Sequence, residues 1–348
     1  MQLEGRPDFP EVKERWDKFW NGEQLDRPLF QIEVPKTGCI PAGKPYPVRP
    51  DRPVEPVVKR VLDWVNTHEF YGEAVPFFMM EFAPVHFSTF LGCELQYLDN
   101  QGTSWAVPFV KDWGDTDLYF HKDSFYWEKT VEFISILRAH CDGKVIINAP
   151  GLAGGLDALA AIRGTEKLML DLYECPEKVH RALDKVCSVY GEVVEELAKV
   201  AGWDAIGSVN WNGMYSSGRM NTLQCDVSAL ISPAMFKEFV APRLQKDASC
   251  YDNATYHLDG PGELPHLETI CGLDGIDVIQ WVPLPQESSH NWFELYRQID
   301  NLGKGMIIPC SDLSAIKKMW EEFSTRRLIF QANVGSRREA ELLLNAFA

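Results

Sequence analysis

The sequence predicts an α/β fold, a (β/α)8 TIM barrel formed by one domain that spans residues 1–348. Eight short apolar runs end in turn residues, and such runs are typical of strands buried on both faces of a parallel sheet. Helical patterns lie between most of these runs, and this alternation indicates either a barrel or a doubly wound sheet. No GxGxxG motif follows the first run, which disfavours a dinucleotide-binding sheet and favours the barrel.

Each predicted strand is a run rich in apolar and β-branched residues. The runs are LFQIEV from Leu29, VPFFMMEF from Val75, KVIINAP from Lys144, DAIGSVN from Asp204, ATYHLD from Ala254, IDVIQWV from Ile276, GMIIPC from Gly305 and LIFQANV from Leu328. Helices are predicted at 57–67, 125–140, 176–200, 233–249, 292–301, 313–323 and 337–346. Ser232 before Pro233 is a helix start, and Ser336 with Glu339 has the spacing of a capping box.

One segment interrupts this rhythm between the second and third predicted strands. Residues 84–122 are rich in aromatic side chains and have little helical period. Long ordered loops in compact domains are usually functional. We therefore expect a long loop over the barrel mouth, with some of its aromatic rings in contact with a cavity: Phe87, Tyr97, Trp105, Phe109 and Trp113.

Composition narrows the classes of partner and compartment. The net charge of −16 disfavours nucleic acid and anionic membrane surfaces, because both attract basic proteins. The nine cysteines are scattered and form no CxxC motif, which favours a reducing cytoplasm over a secreted disulfide framework. The polar N-terminus is not typical of a signal peptide, and no run of 18 apolar residues predicts a membrane span. The sequence leaves open whether the chain forms a homodimer.

In a barrel, functional side chains lie at the carboxyl ends of the strands. His257 and Asp259 are two apart on one strand and share a face, so they could act as a general base with its carboxylate or as two metal ligands. Cys310 would complete a zinc site with them. Glu81 and Asp226 are further catalytic candidates. Substrate-binding candidates are the neutral amides and indoles at strand ends, namely Asn148, Asn210, Trp211, Gln280, Trp281, Gln331 and Asn333.

Several blocks, in order along nearly the whole chain, carry a family resemblance. They are RWDKFW from Arg15, GEQLDRP from Gly22, APGLAGG from Ala149, YECPEKVH from Tyr173, and DVSALISP from Asp226 with Phe236, Phe239 and Pro242. Together they resemble the uroporphyrinogen decarboxylase-like superfamily. The resemblance implies a TIM barrel and places the segment that begins at Asp226 beside the substrate site.

The resemblance implies one of two chemistries. One branch of the superfamily decarboxylates uroporphyrinogen without a cofactor, and the other moves methyl groups between a corrinoid and an acceptor, often with zinc. The sequence departs from the RQAGRY signature of the first, since it reads PKTGCIPAG from Pro35, and from the His-x-Cys signature of the second, since it reads HLDGPG from His257. The favoured prediction is methyl transfer between a small substrate and a corrinoid supplied by a partner protein. The alternatives are a cofactor-free decarboxylase or lyase, and a non-catalytic tetrapyrrole- or corrinoid-binding protein.

Overall fold

The structure, a computed structural model, describes residues 2–98, 103–114, 117–287 and 289–347. The strands are β1 Leu29–Pro35, β2 His68–Gly72, β3 Phe77–Met79, β4 Glu94–Leu98, β5 Thr103–Val107, β6 Ile146–Asn148, β7 Ser208–Val209, β8 Tyr215–Ser216, β9 Met220–Leu223, β10 Asn253–Asp259, β11 Val278–Val282, β12 Gly305–Pro309 and β13 Leu328–Gln331. The helices are α1 Phe9–Trp20, α2 Glu55–Thr67, α3 His86–Phe90, α4 Phe125–Cys141, α5 Gly155–Arg163, α6 Thr165–Glu174, α7 Pro176–Ala201, α8 Trp203–Ile206, α9 Pro233–Met235, α10 Ala241–Ala248, α11 Leu267–Cys271, α12 Phe293–Asn301, α13 Leu313–Glu322 and α14 Arg337–Asn345. Within these described ranges, no helix is long and apolar enough to cross a membrane.

Parallel strands alternating with helices confirm the predicted fold class. One seven-stranded sheet runs β2-β1-β13-β12-β11-β10-β9, and all of its neighbours are parallel except β1 and β2. The pairing of β1 with β13 joins the first and last strands of the chain, as barrel closure requires. β3 and β6 form a separate parallel pair. In the part of the chain that the structure describes, no ladder joins this pair to β1 or to β9.

The fourth strand is not where the sequence analysis placed it. The run from Asp204 begins as α8 and then gives β7, which pairs antiparallel with β8. The strand that pairs parallel with β10 is β9, which begins at Met220. Gly207 has a φ of +74°, a conformation that ends the helix and breaks the apparent apolar run.

The segment 84–122 is more structured than the predicted loop. It contains α3 and the antiparallel hairpin of β4 and β5. Residues 99–102 and 115–116 of the predicted lid lie outside the described residues. Trp105 of β5 lines a cavity together with Asp226, which follows β9, so the hairpin lies at the carboxyl ends of the strands as predicted.

Helix α1 lies against the apolar amino end of the strands. Its apolar face, with Trp16 and Phe19 fully buried, packs in one cluster with inward side chains of six strands: Leu29, Ile146, Met220, Val278, Ile307 and Ile329. Trp20 Nε1 donates a hydrogen bond to the carbonyl of Tyr215 at 2.7 Å. The amino end is therefore filled by hydrocarbon, which leaves the carboxyl end for polar groups.

Two residues further along the same strands, the inward side chains become polar. Gln31 follows Leu29, Gln280 follows Val278 and Gln331 follows Ile329. Since residues two apart on a strand share a face, these amides form the layer directly above the apolar one. They are the floor on which the candidate site is built.

Candidate functional site

Three side chains that the sequence analysis singled out converge at the carboxyl ends of β9 and β10. Asp226, His257 and Asp259 each offer one ligand atom, and these atoms all lie within 4.8 Å of one another. His257 and Asp259 share a face of β10 as predicted, and Asp226 reaches them from the loop after β9. His257 is half-buried while both carboxylates reach solvent. One nitrogen and two carboxylate oxygens are a donor set suited to a divalent metal.

The imidazole of His257 is oriented by a chain of amides from the floor. His257 Nδ1 lies 2.8 Å from Gln280 Oε1, which also accepts a hydrogen bond from Asn212 Nδ2 at 3.2 Å. Gln331 Nε2 donates to the carbonyl of Asn212 and to Gln31 Oε1, both at 3.1 Å. Because Gln280 Oε1 only accepts, His257 carries its proton on Nδ1, and Nε2 keeps a lone pair for a metal or a proton.

Carboxylates around the cluster raise one another's pKa. Burial, followed by the charges of Asp157 and Asp259, raises the pKa of Asp226 to about 7. Burial also raises the pKa of Asp157, which accepts hydrogen bonds from the backbone N–H groups of Asp226 and Val227 at 3.0 Å. For fully buried Glu263, desolvation and then the charges of Asp226 and Asp157 raise the pKa to about 9. A bound cation would relieve this repulsion.

One of two cavities near the cluster, which we call the amide cavity, is lined by Gln31, Glu33, Lys44, Phe77, Trp211, Asn212, Gln331 and Asn333 among others. Its volume is about 460 Å³. The Trp211 ring meets His257 edge to face, with centroids 5.5 Å apart. Trp211 thus forms a wall shared by the cavity and the cluster.

The other cavity, the hairpin cavity, lies between β5, α5 and the loop after β9. Its volume is about 520 Å³, and its lining includes Trp105, Ala160, Asp157 and Asp226. Among the described residues that line the two cavities, Lys44 is the one with a basic side chain. A substrate with many carboxylates would need several basic side chains, and the described linings supply one.

Glu81 lies beside the same indole wall. A Cβ atom on Gly151 would meet Trp211 at 3.1 Å and Glu81 Oε1 at 3.4 Å, so the two side chains flank Gly151. Burial raises the pKa of Glu81 to about 8, although hydrogen bonds from the Gly151 N–H and Tyr46 act in the opposite direction. The raised pKa of Glu81 therefore favours its protonated form at pH 7.

The remaining predicted site residues lie elsewhere or are engaged within the fold. Asn148 accepts from Trp203 Nε1 at 2.6 Å and donates to the carbonyl of Val209. Asn210 Oδ1 accepts from the backbone N–H of Met214 at 3.0 Å, which closes the turn between β7 and β8. These contacts favour structural roles for both asparagines.

Trp281 belongs to β11 but its side chain faces the helices, and Cys310 directly follows β12. Trp281 is fully buried, packs on Trp292 and lines a third cavity that also contains Cys310. The Cys310 thiol is 3.8 Å from the carbonyl of Asp312. Within the described residues, the group of ligand atoms contains Asp226 where the sequence analysis expected Cys310.

Sequence reasoning missed four residues of the site: Gln31, Lys44, Asn212 and Asp157. Gln31 had a usable signal, since it is a polar residue in a run buried on both faces. Asn212 follows the misplaced fourth strand, so its position could not be derived. Lys44 lies in an irregular segment where no period predicts the direction of a side chain.

A barrel-type α/β fold with a polar carboxyl-end site defines the structural class of this protein. The sequence profile of the family described as uroporphyrinogen decarboxylase (URO-D) matches residues 78–299, and the chain belongs to this family. No curated protein matches the sequence.

One solved structure shares the fold at low sequence identity, and a second has a lower TM-score. A methyltransferase from Methanosarcina mazei superposes with a TM-score of 0.64 at 16% identity, over 97% of this chain and 98% of the other. A B12-independent methionine synthase from Shewanella sp. W3-18-1, in complex with selenomethionine, has a TM-score of 0.49 at 12% identity, over 90% of this chain and 95% of the other.

Proposed function

We propose that this protein transfers a methyl group between a small substrate and a corrinoid carried by a separate protein, with a divalent metal held by Asp226, His257 and Asp259. The convergence of these three ligand atoms within 4.8 Å is the observation that carries the proposal. Zinc is the candidate metal, because three protein ligands with an open position are typical of catalytic zinc sites.

Two further observations favour methyl transfer over decarboxylation. The Methanosarcina mazei protein whose structure superposes over 97% of this chain is a methyltransferase. The described residues that line the two cavities include one basic side chain. Decarboxylation of uroporphyrinogen would require several, because that substrate has many carboxylates to bind. The corrinoid follows from the resemblance to the methyl-transferring branch. The sequence contains no D-x-H-x-x-G motif, so the corrinoid would belong to a partner protein.

The residues present fit a metal. The amide chain leaves His257 Nε2 with its lone pair, and the carboxylates of Asp226 and Asp259 lie within 4.8 Å of the imidazole ligand atom. A divalent metal bound there would act as a Lewis acid on the substrate atom that carries the methyl group. No cysteine belongs to the ligand group within the described residues, so an oxygen or nitrogen leaving atom suits the site better than a thiol.

Other residues would act on the substrate directly. Trp211 offers a flat apolar wall beside His257, against which a methyl group can be positioned. In methyl transfer, the electron pair of the acceptor forms the new bond to the methyl carbon. The pair of the broken bond stays on the leaving atom, which then needs a proton. We propose that Glu81 donates it, because its raised pKa of about 8 favours the protonated form at pH 7 and its side chain lies near Trp211.

Two measurements on the purified protein test this proposal. Elemental analysis should find about one divalent metal per chain, and Asp226→Asn with Asp259→Asn should lose it. Methyl transfer from a panel of methylated small molecules to free cob(I)alamin, followed by absorbance, should depend on the metal and stop with a chelator. Lys185→Met, a change on the exposed face of α7, is the control.

Three outcomes would overturn parts of the proposal. Full activity in metal-free protein would show that the reaction does not need the metal. Release of CO2 from uroporphyrinogen without methyl transfer would favour the decarboxylase. Tight corrinoid binding with no turnover of any substrate would favour the non-catalytic binding protein.

A further inference from the structure

The amide cavity contains a lysine whose ammonium group lacks a hydrogen-bond acceptor. Lys44 Nζ lies 4.1 Å from the Trp64 ring centroid and 4.0 Å from that of Phe77. No carboxylate of the described residues lies within ion-pair distance of Nζ. Burial lowers the pKa of Lys44 to about 8, so the side chain is still mostly charged at pH 7. Two aromatic faces hold the charge but satisfy none of its three N–H groups.

A second unsatisfied donor lines the same cavity. Among the described residues, the buried Gln31 Nε2 has no hydrogen-bond partner, while Gln31 Oε1 accepts from Gln331. Gly213 leaves room beside this amide, because a Cβ there would come within 3.4 Å of Gln31 Nε2 and 3.0 Å of Phe77. A buried donor without an acceptor costs free energy, so its presence in a cavity wall indicates a ligand atom that accepts.

The nearest carboxylate does not fill this role. Glu33 also lines the cavity, and its charge favours the charged form of Lys44. Its Oε1 accepts a hydrogen bond from Trp64 Nε1 at 2.6 Å and lies 3.8 Å from His68 Nε2. Glu33 is thus held against α2 and β2, and the Lys44 ammonium remains available to a ligand.

We propose that the amide cavity binds a carboxylate between Lys44 and Gln31, and that the substrate is a small methylated monocarboxylic acid. The methyl group of this substrate rests on the proposed methyl transfer, whereas the carboxylate site rests on the two donors that lack an acceptor. A substrate anchored there would extend past Trp211 towards His257, which places its methyl group at the cluster. A single cation and about 460 Å³ suit one carboxylate on a short chain.

Calorimetric binding without corrinoid tests the site apart from catalysis. Methoxyacetate is the carboxylate probe, 2-methoxyacetamide is its neutral counterpart, and inorganic phosphate is the other anion. Methoxyacetate should bind about tenfold or more tightly than the amide, since a charged acceptor gives the stronger hydrogen bonds. Lys44→Met should remove this preference, and Lys44→Arg should restore part of it.

Matched variants exclude unfolding and general charge effects. Lys185→Met removes one exposed positive charge and should leave methoxyacetate binding unchanged. Gln31→Leu should weaken binding severalfold, because it removes the second donor. Thermal melts of every variant check the fold, and Lys44→Gln provides a second polar replacement if Lys44→Met melts early.

Several results would overturn the inference. Equal binding of the acid and its amide would show that the cavity does not recognise a carboxylate. Tighter binding of phosphate would assign the site to a different anion. Loss of binding in His257→Ala or with a chelator, together with retention in Lys44→Met, would move the carboxylate to the metal cluster. A protein that binds methoxyacetate through Lys44 but transfers no methyl group would keep this site while the proposed function fails.

Discussion

The two ends of the barrel interior use the same strands for opposite purposes. At the amino end, Ile329 and its apolar neighbours pack in one cluster with the buried face of α1. At the carboxyl end, Gln331, two residues further along the strand, bonds to Gln31 and Asn212. One step of the strand period therefore separates a layer that holds the fold from a layer that holds a site.

This difference shows which end of the strands contains the polar groups that destabilise the fold. The carboxyl end contains an unsatisfied amide in Gln31 and carboxyl groups, such as Asp226 and Glu263, whose ionisation is disfavoured. Each of these costs stability, and the hydrocarbon at the amino end offsets the cost. Substitutions at the two ends should consequently separate activity from stability.

The largest effect is expected for His257→Ala on turnover. Loss of a general base typically lowers the rate by about 10²–10⁴-fold, and loss of a metal ligand can lower it further. The denaturation midpoint should stay close to that of the wild type, because the imidazole is only half-buried. His140→Ala on the exposed face of α4 is the matched control. Unchanged turnover in His257→Ala would take the cluster out of the reaction.

Ile329→Ala should show the reverse pattern. The side chain is fully buried in the amino-end cluster, so truncation should lower the free energy of unfolding by about 2–5 kcal/mol. Chemical denaturation measures this change, and kcat of the folded protein should hold. Leu342→Ala, at a residue 60% exposed on α14, should change stability by about 0.5 kcal/mol or less. Equal effects of the two variants would contradict the packing described here.

The carboxyl groups predict that stability falls as pH rises. The pKa of Glu263 is raised from 4.5 to about 9, so between these values the folded protein keeps a proton that the unfolded chain has released. Such a group lowers the free energy of unfolding by up to about 1.4 kcal/mol per pH unit in that window. Denaturation of chelator-treated protein at pH 6, 7 and 8 should show this slope, and Glu263→Gln should flatten it.

Exposed Glu166→Gln is the control for that series and should leave the slope as in the wild type. A wild-type protein that becomes more stable from pH 6 to pH 8 would show that Glu263 ionises freely.

Trp105→Ala should have the smallest effect on stability. The ring is 58% exposed and lines the hairpin cavity, so the free energy of unfolding should change by about 0.5 kcal/mol or less. If the hairpin borders the bound reactants, KM should rise severalfold while kcat stays nearly constant. Steady-state kinetics and denaturation together measure both quantities. A loss of several kcal/mol would instead show that the ring is part of the core.

The fold could be predicted from the sequence wherever a strand is apolar on both faces. Seven of the eight runs contain a barrel strand, and three of the candidate site residues, Asp226, His257 and Asp259, lie close together in the structure. The fourth strand escaped because two of its four residues, Asn221 and Thr222, are polar yet buried. Asn221 donates hydrogen bonds to the hydroxyls of Tyr190 and Tyr251. Partners this far away in the sequence cannot be predicted from the hydrophobic periodicity of the strand.

The site was less predictable than the fold for a related reason. The two-residue period of a strand predicts which face a side chain occupies, and it predicted that His257 and Asp259 share a face. It does not predict which strand ends become neighbours. Trp281 illustrates the limit, since it stands one residue after Gln280 and therefore faces the helices. The position of Lys44 depends on contacts with Trp64 and Phe77, which lie 20 and 33 residues further along the chain.

The position of α1 has a consequence for synthesis on the ribosome. Trp20 docks onto Tyr215, which is 195 residues later in the chain. At about 5–20 residues per second, the first helix leaves the ribosome roughly 10–40 s before its partner has been made. Throughout that interval the face of Trp16, Phe19 and Trp20 lacks the later members of its cluster, which are Met220, Val278, Ile307 and Ile329. The nascent chain therefore carries an aromatic surface that is only partly covered, and chaperones can bind such a surface.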